Sequence, residues 1–152
     1  MTLGTREILV FEAGGRLFGL GIGDVECVVS AVRPVPLPYA PPGFEGVLNL
    51  RGAPIAVLDL RAWFGDAPRE IQLDDFLIVV RAGARRVALH VERAHGVMAI
   101  AASSIRPAQS VVPSARHFAG VVMVEAGIVF LPDVEGFLSA AENVALPEAT
   151  AA

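Results

Sequence analysis

FEGVLNLRGAPIAVLD, residues 44–59, returns roughly seventy residues later as FAGVVMVEAGIVFLPD, residues 118–133. Both stretches begin with Phe, place Gly-Val two residues on, break at a turn, and reach Asp fifteen residues after the Phe. A helix is expected after each Asp: the short LRAWF (60–64) and the longer VEGFLSAAEN (134–143). Asp59 is placed to cap the first by accepting a backbone N–H, and Gly65 to stop it. A looser match sets EILVFEAGGRLFGLGI (7–22) beside FLIVVRAGARRVALHV (76–91), two apolar arms around one turn. The pattern is an internal duplication, with similar β-units at about 7–65 and 75–140 joined by the polar connector 65–75. Each unit is too short to bury much core alone, so the two are expected to pack together as one domain.

Within the first copy, Arg51, Asp59 and Arg61 stand among leucines and valines. A guanidinium keeps its charge at any workable pH and must reach water, a carboxylate or a partner. Asp59 and Arg61 read as a helix cap and a charge that braces it. Arg51 is expected to end a strand just before a tight turn at Gly52-Ala53, of the II′ kind that puts Gly first. Asn49 then shares its strand face, while the second copy offers Met123 and Glu125 at the same places. Gly46, Gly52 and Gly120 are expected to serve turns or close backbone approach.

Of the 152 residues, 54% are hydrophobic and 18% charged, enough for a substantial core. Fifteen glycines and eleven prolines, spread along the chain, favour many short strands. Five of the prolines lie between 34 and 42, which reads as an ordered loop because proline gives a ladder no N–H. The net charge of −4 argues against sequence-independent nucleic-acid binding. The one cysteine, Cys27, excludes an internal disulfide and points to a reducing compartment. The opening MTLGTREILV carries Arg6 and Glu7 where an export signal needs an apolar core. No Gly-rich phosphate loop appears, and His90, His95 and His117 lack metal-ligand spacing. Catalysis, a metal and a cofactor are accordingly not expected. The end of the chain, 144–152, reads as a frayed tail.

GVLNLRG (46–52) followed by VLDLRAWFG (57–65), with LIVV, ALHVERAHGV and FAGVVMVEAGIVFLPDVEGFL in order, resembles the CheW-like family of chemotaxis coupling proteins over residues 7 to about 140. The resemblance implies a mainly β fold: two similar five-stranded β-barrels on a shared hydrophobic seam, with a short C-terminal helix. It implies a cytoplasmic adaptor without chemistry, joining the tips of transmembrane chemoreceptors to the regulatory domain of a histidine autokinase. It also implies a partner-binding surface, carried over here to Val25, Cys27, Gly46, Asn49, Arg51 and Gly52. In the family a glutamate on the strand after the first hairpin faces the motif's arginine; Cys27 stands at that position here. Glu26 is next door, but successive strand residues point to opposite faces, so it replaces that glutamate only through a bulge. A reading of another class is an OB-like barrel binding nucleic acid or another ligand, which needs a basic groove with exposed aromatics.

Overall fold

A computed structural model describes residues 4–111 and 117–140. The strands are β1 (Thr5–Ala13), β2 (Arg16–Gly21), β3 (Val25–Ser30), β4 (Phe44–Leu50), β5 (Ala53–Asp59), β6 (Phe76–Ala82), β7 (Arg85–Val91), β8 (Arg93–Ala101), β9 (Arg106–Pro107), β10 (Phe118–Val124) and β11 (Gly127–Pro132). Helical structure is short: 3-10 turns at Ile22–Asp24, Leu60–Phe64 and Ala102–Ser104, one α-turn at Ala108–Val111, and a helix over 134–140. The tail expected at 144–152 lies outside the described residues.

The strands form two sheets, ordered β3-β6-β7-β5-β4 and β8-β1-β2-β11-β10-β9. The second has six strands rather than five because the two-residue β9 extends it. Each sheet takes one hairpin from either side of the connector: β4–β5 with β6–β7, and β1–β2 with β10–β11. The joins are parallel, β5 on β7 from Ala56↔Val87 to Asp59↔His90, and β11 on β2 at Val129↔Leu17 and Phe130↔Phe18.

Strand alternation explains why these segments are apolar on both sides. In β6, Leu77 and Val79 face a core shared with Ile55, Val57 and Ala88, against which Cys27 and Val29 of β3 and Leu48 and Leu50 of β4 also pack. Because β3 and β4 are the two edges of this sheet, a core common to both means that the sheet curls round it. Ile8, Val10, Ile100, Val122 and Val129 fill the corresponding interior of the other sheet. The intervening residues, among them Leu9, Phe11, Phe18, Leu58, Ile78, Val80 and Leu89, meet between the sheets in one continuous seam. Phe18 is its centre, fully buried, with ring centroids 5.6 Å from Phe11, 5.9 Å from Phe64 and 6.1 Å from Phe130. The 134–140 helix adds Val134, Phe137 and Leu138 to the seam, with Phe137 4.5 Å from Trp63.

The two copies of the long motif fold alike. Each hairpin carries a register shift near its start, at Phe44/Gly46 and at Phe118/Gly120. Each closing Asp donates its backbone N–H to a carbonyl sixteen residues earlier, Asp59 to Gly43 at 2.8 Å and Asp133 to His117 at 2.7 Å. Gly46 must lack a side chain, since a Cβ there would run into the Val35 carbonyl and its φ is +150°. That closeness lets Val35 and Val47 exchange two backbone hydrogen bonds, at 2.8 and 2.9 Å, which pin the proline-rich loop against β4.

Candidate functional site

The three charges of the first copy separate in space. Arg51 is exposed and lies in the turn, not at the end of a strand: β4 stops at Leu50, β5 starts at Ala53, and the pair across the turn is Leu50↔Ala53. The turn is therefore Arg51-Gly52, one residue earlier than the expected Gly52-Ala53, and both residues have positive φ, +53° and +89°. Two positive φ values are the mark of a I′ turn rather than II′. Asn49 stabilises it, its Oδ1 accepting from the Gly52 N–H at 2.7 Å. Arg51 is thus held in a left-handed conformation that costs a side chain with a Cβ about 1 kcal/mol or more. Among the described residues it has no hydrogen bond or ion pair.

Its missing acidic neighbour is accounted for. Cys27 is half-buried and packs, as Leu48 and Leu50 do, against the apolar interior of this sheet. The bulge that Glu26 needed is present, since Val25 pairs with Val80 and Cys27 with Val79. Its carboxylate goes elsewhere, accepting from Arg86 Nε at 3.0 Å and lying 3.6 Å from Arg81. The Arg86 hydrogen bond holds the Glu26 pKa below the usual carboxylate range. Val25 is half-buried against the seam. Of the six expected partner residues, Asn49, Arg51 and Gly52 share one turn. Gly46 sits toward the other end of β4, roughly 17 Å along an extended strand.

Asp59 and Arg61 are both buried, each 4% exposed. Asp59 Oδ1 accepts from the backbone N–H of Arg61 at 3.0 Å, which is the expected cap, and Gly65 ends the turn with φ +81°. The same carboxylate takes two hydrogen bonds from the guanidinium, Nε to Oδ1 at 2.8 Å and Nη2 to Oδ2 at 3.1 Å. Burial opposes the charge on Arg61, but Asp59 outweighs it and the guanidinium pKa rises further.

Around this pair stands a cluster that local sequence patterns do not reveal. His90, 1% exposed, is aligned with Asp59 across the parallel β5–β7 join, at the end of the curled interior. Its Nδ1 lies 2.9 Å from Glu45 Oε2 and its Nε2 2.6 Å from Asp75 Oδ2. Asp75 also accepts from Arg69 at 3.0 and 3.2 Å and from the Gln72 N–H at 2.9 Å, fastening the connector to the sheet. Glu92 closes the far side, accepting from the Gly14 N–H at 2.6 Å and approaching Arg61 and Arg69 to 3.8 and 3.9 Å. The partners of His90 are 15 and 45 residues away in sequence, so spacing gives no cue. The one available signal is a histidine on the inward face of VALHV. Burial works against a charge on His90, yet hydrogen bonds to Glu45 and Asp75 prevail and raise its pKa. Burial likewise raises that of Asp75, but Gln72, His90 and Arg69 together bring it below the usual range.

The carboxylates of the cluster face cations, and among the described residues no cysteine or hydroxyl is bonded to it. Cys27 lies in an apolar core, while His90 is committed to two carboxylates and His95 to Glu12 at 3.1 Å. Among the described residues no group of His, Cys, Asp and Glu is arranged to hold a metal ion.

Residues 7–142 match the CheW-like domain. The chain belongs to the CheW-like domain family. It is 28% identical over 147 residues to the chemotaxis protein CheW of Rhizobium meliloti (strain 1021), covering 95% of each chain. It is 27% identical over 139 residues to that of Klebsiella aerogenes, covering 90% of this chain and 84% of the relative. Among solved structures it is similar to the scaffolding protein TtCheW from Thermoanaerobacter tengcongensis, with a TM-score of 0.74 and 32% identity over 84% of this chain and 88% of that one. The CheW-like fold accounts for the two curled sheets and the seam. Among the described residues no helix is long and apolar enough to cross a membrane.

Proposed function

We propose that this CheW-like chain is a non-catalytic adaptor, coupling the cytoplasmic tips of transmembrane chemoreceptors to the regulatory domain of a histidine autokinase within a chemosensory array. Arg51 is the central partner contact. The observation that carries this is a guanidinium held exposed, on a strained backbone, without a bond to any described residue. Five N–H donors in a planar fork suit a carboxylate or carbonyl on a partner surface. Asn49 and Gly52 set the turn, Val25 and Cys27 lie on β3 at the other edge of the same sheet, and Gly46 shapes β4 and the loop against it. In this reading Cys27 replaces a charge with an apolar surface, so Arg51 reaches its partner's acid rather than one of its own. The protein is cytoplasmic in this reading and reaches the membrane through its partners.

The test is co-sedimentation of the purified protein with receptor fragments and kinase, scoring kinase activity. Association with both, and a change in kinase activity when all three are present, is expected. Association with neither overturns the adaptor reading. An OB-like nucleic-acid binder is disfavoured by the net charge of −4.

A further inference from the structure

We propose that Glu45 is a proton-gated carboxylate: protonated His90 holds it within the buried cluster, and loss of the His90 proton releases it into the adjoining pocket. Asp75 has donors besides His90, namely Arg69 and the Gln72 N–H. Among the described residues Glu45 has only His90 Nδ1 at 2.9 Å, with Arg61 standing off at 3.9 Å. Its other oxygen, Oε1, is buried without any hydrogen bond. Glu45 is therefore the weakly held member.

The groups facing His90 come from every element packed on it: Glu45 from β4, Asp59 at the end of β5, Arg61 from the 3-10 turn, Asp75 ahead of β6, Arg69 behind Asp75, and Glu92 after β7. With both ring nitrogens protonated, the imidazolium donates to Glu45 and Asp75 at once. When hydroxide removes one proton, a single N–H remains. Arg61 Nη2, 3.3 Å from Nδ1, then donates to the freed lone pair, while Nε2–H stays on Asp75. That tautomer turns a lone pair toward Glu45 Oε2 and leaves a half-buried carboxylate without a donor, which favours its move toward water. The exit is at hand. Glu45 borders a pocket of about 520 Å³ between the proline-rich loop, at Pro34 and Pro36, and the connector, at Pro68 and Ile71. Raised pH thus adds a free negative charge to this pocket, while the connector stays fastened through Asp75.

The experiment is an NMR titration of the ¹⁵N-labelled full chain, following the His90 ring nitrogens by long-range ¹H–¹⁵N correlation and the backbone amides together. The His90 midpoint should lie above the ordinary imidazole value of about 6.5, with both ring nitrogens protonated below that midpoint. The amides of Phe44, Glu45 and Gly46 should shift with that midpoint, and the Gln72 amide should stay protected from exchange through it. Glu45→Gln, which removes the charge but keeps the shape, should lower the His90 midpoint. A midpoint no higher than about 6.5, a Gln72 amide that loses its protection above the His90 midpoint, or residues 44–46 that ignore it would each overturn the proposal. The wild-type titration decides even if the variant fails to fold.

Discussion

The β4–β5 and β10–β11 hairpins share a sequence pattern, a bulge and a closing Asp, yet they have been put to different uses. At the tips, Arg51-Gly52 requires two left-handed residues and leaves a guanidinium free of described partners; the other copy has Glu125 at the corresponding position, with Met123 72% exposed on the strand before it. At the bases, Asp59 is locked to the buried Arg61, whereas Asp133 makes a plain cap, accepting from the Gly136 N–H at 3.0 Å. The duplicated framework sets where the hairpins go, while the charges at their ends differ from one copy to the other. Backbone pairing and apolar alternation repeat; the ion pairs do not.

The two closing aspartates should differ most in what their loss costs. Asp59→Ala leaves the Arg61 charge buried without its main partner and should cost about 3–5 kcal/mol. Asp133→Ala loses a cap and should cost about 1 kcal/mol. Equal losses in urea unfolding would mean that the ion pair adds nothing to the first hairpin. Gly46→Ala comes next, at about 1–3 kcal/mol by overpacking against the Val35 carbonyl. Loss of amide protection at Val35 and Val47 would show that the bridge to the proline-rich loop has broken.

A pH series sharpens the contrast at the bases. His90 has a raised folded-state pKa, so its contribution is fully present below the unfolded value near 6.5 and is lost as pH rises through the folded value. Asp75 is lowered, so its contribution is present above its unfolded value near 3.9 and is lost as pH falls through the folded value. Stability should therefore decline at both ends, and His90→Gln should abolish the alkaline decline assigned to His90. An unchanged alkaline limb in His90→Gln would place the titration elsewhere.

The smallest effect concerns the tip. Arg51→Asn supplies the Asn-Gly pair that a I′ turn prefers and should stabilise the fold by about 0.5–1 kcal/mol. A gain in thermal stability with a loss of partner binding would show strain retained for function.

Much of this was legible in the chain. The repeated motif, the Asp59 cap, the Gly65 stop and the apolar arms follow from spacing alone, because caps and strand alternation are local rules. The turn at Arg51 was displaced by one residue because Gly-Ala suits a II′ turn locally, whereas the register and the Asn49 side chain select I′. The His90 cluster was hidden because its members meet only through the parallel β5–β7 join and the connector. Glu26 follows the same logic: sequence gives its face only if the strand is regular, and the bulge redirects it to Arg86.

In the proposed function the Arg51 tip, and not its Glu125 counterpart, meets the signalling partners. The most direct measurement is receptor and kinase co-sedimentation of Arg51→Glu beside Glu125→Arg, with circular dichroism on both. The expected result is two folded proteins, with partner association sharply reduced in Arg51→Glu and retained in Glu125→Arg. Folded Arg51→Glu that associates as the wild type does, or an Arg51→Glu chain that is unfolded, would contradict it.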